Sequence, residues 1–367
     1  MSIIATVVLF ILLGLILILP ATVRIVEENL EFFLFCVGLA AGAVTGVIWR
    51  PEVWIEALRE PIMIHGVPIG IFQVVLIAGL IAYFLRHRFE ILILKIMKSR
   101  HAYLLLGLLT FILGMLSSVI SVIVASVLLS EVALLLRIER KYKVLYCIYS
   151  CYALGVGAVL TPVGEPLATI IVSKLKTAPY YTGPGFLFSN FWYIAIPLVV
   201  LFSVLSAYVI KKGHASAPER PVEIELETLR DVVIRALRVY IFIVALVILG
   251  TSYSILAEAY FRNLPPDIMY LIGSISAIVD NATLAAAMLA PHMPLPDVVF
   301  FVTSTIIAGG FLVPGNIPNI IVASRIKIRF REWAIHALKV GIPVFFIAYA
   351  ILKLHLYVLK LHHLLMV

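Results

Sequence analysis

Long apolar runs separated by short polar and basic segments make up most of the chain. A helix that crosses ~30 Å of hydrocarbon needs ~20 apolar residues, and the runs have about that length. They are continuous and lack the alternation of a barrel wall, so they predict membrane helices rather than strands. The candidate runs are Ile3–Pro20, Phe32–Trp49, Gly66–Leu85, Ala102–Ser130, Val144–Gly164, Asn190–Ile210, Val239–Ala257, Ile268–Pro291, Val298–Ser324 and Trp333–Leu352.

Composition supports the same class of protein. Of the 367 residues, 63% are hydrophobic and 13% are charged. A water-soluble domain cannot bury so much apolar surface, so the excess is expected to face lipid. Neither Met1 nor Ser2 supplies the positive start of a signal peptide, and no small-residue cleavage site follows Pro20. The sequence therefore predicts an all-α integral membrane protein whose first run is a span.

The charge pattern argues against nucleic-acid binding. The net charge is +8, but Lys and Arg occur in short clusters between apolar runs, as in the cytoplasmic loops of membrane proteins. The three cysteines form no paired framework, and Cys147 and Cys151 have no nearby His. We expect these two cysteines to pack in the interior rather than to bind metal.

Basic residues flank the fourth run on both sides. A single crossing would place one cluster outside, whereas a re-entrant hairpin keeps both in the cytoplasm. The same reasoning makes Ile268–Pro291 a second hairpin, which enters from outside. We expect about eight full spans in the plasma (cell inner) membrane, with both termini outside. The alternative is ten plain spans. The flanking clusters are Arg86, His87, Arg88, Lys95, Lys98 and Arg100 on one side and Arg137, Arg140, Lys141 and Lys143 on the other.

These features divide the chain into two halves joined by a long polar linker. Amphipathic segments at Phe89–Lys98 and Ile255–Phe261 are expected to lie in the membrane interface. The predicted organisation is a first half 1–211 with hairpin 102–136 and broken helix 144–174, a cytoplasmic linker 212–232, and a second half 233–367 with hairpin 266–291 and broken helix 297–325.

Two pairs of segments in the halves resemble each other. GAVLTPVGEP at Gly157–Pro166 matches GGFLVPGNIP at Gly309–Pro318 without a gap, so that Pro162 pairs with Pro314. SSVISVIVAS in the first hairpin matches SAIVDNATLA in the second, so that Ser121 pairs with Asp280. Because one hairpin starts inside and the other outside, the pattern predicts a repeat of inverted topology.

The segments LTPVGEP, SAIVDNATLA and GGFLVPGNIPNIIVASRIKI resemble a prokaryotic family of uncharacterised proteins expected to be cation transporters. That family lies in the ion transporter superfamily, beside sodium/proton antiporters and sodium-coupled dicarboxylate carriers. The resemblance covers roughly Tyr103–Ile210 and Met269–Ala350. It implies two hairpins, two broken helices, a midplane site, a homodimer and an elevator-like movement. The first half has three spans before its hairpin, whereas the second half has one, Val239–Ala257. The scaffold therefore departs from symmetry.

Proline and glycine interrupt two apolar runs and release backbone groups that can coordinate an ion. Glu165 lies in one interruption and Asp280 in the opposite hairpin, and a carboxylate inside a membrane usually serves an ion or proton pathway. The same oxygen can hold a proton or a cation but not both well. The helix-breaking residues are Pro162, Gly164, Pro166, Pro314, Gly315 and Pro318. The further oxygen ligands of a sodium-type site are Ser118, Ser121, Thr161, Asn281, Thr283, Asn316 and Asn319.

Other interpretations of the same residues remain open. The breaks could be simple kinks, and each Asn or Ser could bond backbone across helices, as is common in membrane bundles. Glu131, close to Arg137 in sequence, is expected to form an interfacial ion pair.

The predicted function is a secondary active transporter that exchanges a small monovalent cation, with sodium expected, for protons by alternating access. The alternative is sodium-coupled transport of small organic anions such as dicarboxylates. No hydrolase or protease motif occurs, so an enzyme is not expected. The expected partners are the lipid bilayer, the cation and the proton, with no cofactor beyond the transported ion.

Overall fold

The computed structural model describes residues 3–365 except 24, 27–28, 64–69, 71, 74, 78–79, 82, 85–90, 92–94, 97–98, 184, 216–227, 261–263, 290 and 292. All regular elements in this part are helical. Half of the predicted third span Gly66–Leu85 and more than half of both the segment Phe89–Lys98 and the linker 212–232 lie outside the described residues.

The first half contains eight described α-helices. Their apolar runs favour helix, and Pro51 and Pro166 stand at first-turn positions, where proline loses no helical hydrogen bond. These helices are α1 (Ile3–Thr22), α2 (Leu30–Thr45), α3 (Pro51–Arg59), α4 (Ala102–Ile120), α5 (Val122–Leu135), α6 (Arg140–Ala158), α7 (Pro166–Lys174) and α8 (Phe186–Ala215).

The second half contains six described α-helices, of which the first is long. Short 3-10 turns at Ser274–Ala277 and Val313–Gly315 extend or interrupt its helices. The helices are α9 (Leu229–Tyr260), α10 (Pro266–Gly273), α11 (Asn281–Met288), α12 (Leu295–Ala308), α13 (Ile317–Ile326) and α14 (Phe330–Leu365).

Five described segments are long and apolar enough to cross a membrane: Ile3–Pro20, Ala102–Ile120, Phe186–Gly213, Leu229–Tyr253 and Phe330–Val358. Together with many exposed large apolar side chains, these helices indicate an integral membrane protein in a lipid bilayer. The other described apolar helices are shorter than a full span, and two of them, α12 and α13, lie on either side of a break described below.

Helices α4 and α6 run side by side in the same direction. Thr110 of α4 and Ser150 of α6 share a hydrogen bond of 2.9 Å, and Ser117 further along α4 donates to the Leu154 carbonyl at 2.9 Å. Because α6 begins at the same end as α4, the intervening α5 must run back from the tip at Ser121. Lys143, near the start of α6, donates to the Leu134 carbonyl at the end of α5.

The second half contains similar contacts. Ser276, at the end of the α10 segment, donates to the Thr305 carbonyl of α12 at 3.1 Å, as Ser117 does to Leu154. Gly273 lies against Ser304 of α12, as Gly114 lies against Ala153 of α6. Helix α14 passes α10 in the opposite direction, and Lys353 binds Asp267 at 2.8 Å.

Helices α1, α2, α3 and α9 pack beside this arrangement. Gly38 of α2 approaches the Ala245 carbonyl of α9, and Tyr253 of α9 donates to the Leu9 carbonyl of α1 at 2.8 Å. Helix α3 turns back along α9, where Tyr240 donates to the Leu58 carbonyl at 2.9 Å. Helix α9 also contacts α11. It therefore connects helices α1–α3 to the hairpins and interrupted helices.

Candidate cation and proton site at the helix breaks

The first break separates α6 from α7 and is held by the neighbouring tip between α4 and α5. The hydroxyl of Thr161 donates to the Ser118 carbonyl, and the Val122 amide donates to the Gly164 carbonyl at 2.8 Å. A side chain at Gly164 would collide with the Ala158 carbonyl, so glycine is required there by close backbone approach. The break is therefore a fixed structure rather than a loose kink.

The second break separates α12 from α13 and is held by Asn319. Its amide nitrogen donates to the carbonyls of Gly309 at 2.8 Å and Leu312 at 2.9 Å. Gly315 packs against the Ser276 carbonyl of the neighbouring arm. Asn319 thus satisfies two of the carbonyls that the interruption releases. For this residue the structure agrees with the alternative that the side chain bonds backbone.

Each second half-helix starts after one extended residue. Glu165 precedes α7 with φ −154° and ψ 162°, and Asn316 precedes α13 with φ −154° and ψ 149°. The ungapped sequence alignment pairs Asn316 with Gly164, one residue earlier. The structure therefore makes Glu165 and Asn316 equivalent, and Pro166 and Pro318 stand at the first and second helical positions.

The two tips carry Ser121 and Asp280 directly before α5 and α11. Ser121 has φ 77°, a conformation that costs ~1–3 kcal/mol for a residue other than glycine, and its hydroxyl accepts from the Ile123 amide. The Asp280 carbonyl accepts a hydrogen bond from the Leu284 amide at the start of α11. Both residues are partly exposed, whereas Asn281 is buried.

Glu165, Asp280 and Asn281 come together across the two halves. Helices α7 and α11 pack against each other, which brings their N-termini close. The Glu165 carboxyl interacts electrostatically with Asp280 and lies beside the amide of Asn281. Glu165 is 3% exposed, so the described chain surrounds it almost completely.

Several polar atoms at the breaks have no hydrogen-bond partner in the described part of the chain. Three are acceptors: Glu165 Oε1, Asn316 Oδ1 and Asn319 Oδ1. The Asn281 Nδ2 donor is also unsatisfied. Buried polar atoms without partners cost ~1–3 kcal/mol each, and they are rare in native proteins. Unpaired buried oxygens at two interrupted helices are suited to a bound cation or proton.

The remaining predicted ligands have their own local contacts, and Asn316 also contacts α6. Ser118 donates to the Met115 carbonyl of its own helix, and Ser121 caps α5 at the tip that faces the first break. Asn316 lies with its amide nitrogen against Gly155 of α6. Thr283 belongs to α11, and its side chain is outside the described residues.

The structure adds two acidic contacts that the sequence analysis missed. Glu60, at the end of α3, interacts electrostatically with Asp280. Glu131 pairs with Arg325 of α13 at 2.9 and 2.8 Å, although Arg137 is nearer in sequence. Neither interaction has a signal in the sequence, because both involve segments that are far apart along the chain.

These features define a helical membrane protein with two interrupted helices and a buried carboxylate between its halves. The chain belongs to the DUF1646 family, described as "Protein of unknown function (DUF1646)", which matches residues 6–359. No curated protein matches the chain.

Proposed function

We propose that the protein is a secondary active transporter that exchanges a small monovalent cation, with sodium expected, for protons by alternating access. The observation that carries this proposal is the set of buried acceptor oxygens without donors at both breaks, on Glu165, Asn316 and Asn319. Two are neutral amide oxygens and one is a carboxylate, which is the oxygen chemistry that hard cations prefer.

The position of the acidic pair supports coupling between cation and proton. Glu165 and Asp280 interact, and each stands at the N-terminus of a half-helix, where the backbone dipole favours a negative charge. A carboxylate there can release its proton when a cation arrives and recover it when the cation leaves. Competition of this kind is the minimum requirement for exchange.

The helix directions support an inverted repeat. Helix α13 ends beside the start of α6, because Arg140 donates to the Lys327 carbonyl at 2.8 Å. At the opposite face, Tyr180 beyond α7 donates to the Met293 carbonyl, just before α12. These contacts support opposite directions for the α6–α7 and α12–α13 paths, and we propose that α5 and α11 return as re-entrant arms of two hairpins. Membership of the ion transporter superfamily, about eight spans, a homodimer and an elevator-like movement complete this proposal.

A second function, sodium-coupled transport of small organic anions, has one observation in its favour. Helices α5 and α13 pack together, and the residues that precede them are the neutral Ser121 and Asn316. Helix N-termini without acidic caps favour anions. Uptake of labelled dicarboxylates into vesicles, measured with and without sodium, separates this function from cation/proton exchange.

Asp280→Asn tests the competition directly, because it removes the titrating oxygen and nearly keeps the shape. In the parent protein, sodium affinity is expected to fall as pH falls, since proton and cation must weaken each other by the same factor. The variant should fold and lose most of this pH dependence. Sodium binding to both proteins across pH is the measurement, and a pH-independent parent affinity would remove Asp280 from the mechanism.

A further inference from the structure

One glycine of α6 lies against the second break. Gly155 is buried inside α6, where the backbone is helical. Glycine in the interior of a helix is less favourable than alanine, because it loses more conformational freedom on folding. Its presence at this position therefore requires a reason other than the conformation of the backbone.

The side chain of Asn316 supplies that reason. A Cβ placed on Gly155 would collide with Asn316 Nδ2. The next nearest atoms, Asn316 Cγ and Pro318 Cγ, would be at 3.5 and 3.9 Å, which are ordinary van der Waals distances. The amide nitrogen of Asn316 therefore occupies the space that a side chain at position 155 would need.

This close approach differs from those at other glycines of the bundle. A Cβ on Gly157 would collide with the backbone carbonyl of Gly114, so glycine at that position allows two helices to pack. At Gly155 the colliding atom is the end of a side chain, which can move by rotation about its own bonds. A methyl group at position 155 should therefore displace the Asn316 carboxamide rather than separate the helices.

Neighbouring contacts hold Asn316 in this arrangement. Cys151, one turn before Gly155 on the same face of α6, has its sulfur 3.5 Å from the Pro318 carbonyl, so α6 packs on the start of α13. On the other side, a Cβ on Gly309 would lie 3.6 Å from Asn316 Cβ. The Asn316 side chain thus lies between two glycines that belong to two different helices.

The contact with Gly155 also orients the carboxamide. Nδ2 lies nearest to Gly155, and Oδ1 is at least as far away as Pro318 Cγ. Oδ1 is buried and has no hydrogen-bond partner in the described part of the chain. Because the carboxamide is planar, any displacement of the nitrogen moves this free oxygen as well.

We propose that Gly155 is a positioning residue of the cation site, whose missing side chain leaves room for the Asn316 amide nitrogen and so holds Asn316 Oδ1 where it can bind the ion. This proposal rests on the proposed exchange function. Cavity size and the number and flexibility of the oxygen ligands determine how a site binds a cation. Displacement of one oxygen should therefore weaken binding even when the fold is kept.

Gly155→Ala tests the proposal through the sodium affinity of the purified full-length protein, with sodium alone as the probe. The affinity should fall roughly three- to tenfold, because the new methyl group displaces a ligand. In an Asn316→Ala background the same change should have no further effect, because no amide remains to be displaced. Gly107→Ala is the control: its Cβ would lie 2.6 Å from Ala207 Cβ of α8, away from the breaks, so sodium affinity should stay parental.

Thermal unfolding of the same variants tests the contact without an ion. Any loss of stability or of folding in Gly155→Ala should be relieved by Asn316→Ala, and a double variant without such relief would overturn the proposal. If Asn316→Ala weakens sodium binding but Gly155→Ala does not, or if Gly155→Ala has the same effect in both backgrounds, the role of Gly155 is wrong while the exchange function stands. A folded parent that binds no sodium would overturn the proposed function, and the role of Gly155 with it.

Discussion

A buried ion pair joins the two halves of the protein beside the first hairpin. Arg325 of α13 donates to both carboxylate oxygens of Glu131 on α5, at 2.9 and 2.8 Å. Their side chains are 6% and 13% exposed. Arg140 and Glu332 form a similar two-bond pair at 3.1 and 2.8 Å, but with 55% and 23% exposure. The two pairs thus differ mainly in burial.

Removing Arg325 should destabilise the protein strongly. Loss of one partner leaves the other charge buried without compensation, which typically costs ~3–5 kcal/mol. Because Glu131 keeps some exposure, Arg325→Gln is expected at the lower end, near ~3 kcal/mol. Arg140→Gln should cost less than ~1 kcal/mol, since exposed pairs contribute little. The double change Arg325→Met with Glu131→Leu should recover most of the loss, because no unpaired charge remains.

The measured quantity is the free energy of unfolding of the purified variants in mixed detergent micelles. It is obtained from the helical circular-dichroism signal during a denaturant titration. The four proteins Arg325→Gln, Arg140→Gln, the double variant and the parent form one series. The reasoning is refuted if Arg325→Gln and Arg140→Gln cost the same. It is equally refuted if the double variant is no more stable than Arg325→Gln.

Three further predictions concern topology, packing and the ligands. In a background without the three native cysteines, single cysteines at Lys141 and Arg329 should be labelled from the cytoplasmic side. A single cysteine at the exposed position Lys176 should be labelled from outside. Labelling of position 141 from outside would exclude the hairpin. Gly157→Ala should destabilise the protein by ~1–3 kcal/mol, because the new Cβ would collide with the Gly114 carbonyl. Gly14→Ala should be neutral or slightly stabilising, because a Cβ at Gly14 would have no atom within 4 Å. Similar unfolding midpoints for the two variants would contradict this packing. Asn316→Ala should weaken sodium affinity roughly tenfold without unfolding the protein. Asn190→Ala is the control and should keep the parental sodium affinity, because the Asn190 amide bonds the Phe186 carbonyl of its own helix. Equal binding isotherms for the two variants would place the site elsewhere.

Local features of the fold could be predicted from the sequence because they depend on nearby residues. Apolar run length and proline position determine where a helix can lie, and α7 begins at Pro166 as proline allows. The alignment paired Ser121 with Asp280, and α5 and α11 begin directly after these residues. The pairing at the breaks was off by one residue, because the extended conformation shared by Glu165 and Asn316 leaves no mark in an ungapped alignment.

Contacts between distant segments could not be predicted in the same way. Glu131 was assigned to an ion pair near Arg137, but Arg325, far away in sequence, lies beside it once α5 packs on α13. Helices α3 and α11, far apart in sequence, both pack on α9. Tertiary packing decides such partners, and charge spacing along the chain contains no information about it.

Proton movement driven by sodium in sealed vesicles is the direct measure of sodium/proton exchange by this protein. Purified protein is reconstituted into liposomes that contain a pH-sensitive dye, and sodium chloride is added outside. In vesicles with the parent protein, protons should leave the lumen as sodium enters, so the lumen becomes alkaline. Vesicles with Glu165→Gln and empty vesicles should show little change. No sodium-dependent pH change with correctly folded parent protein, or an undiminished change with Glu165→Gln, would contradict the account.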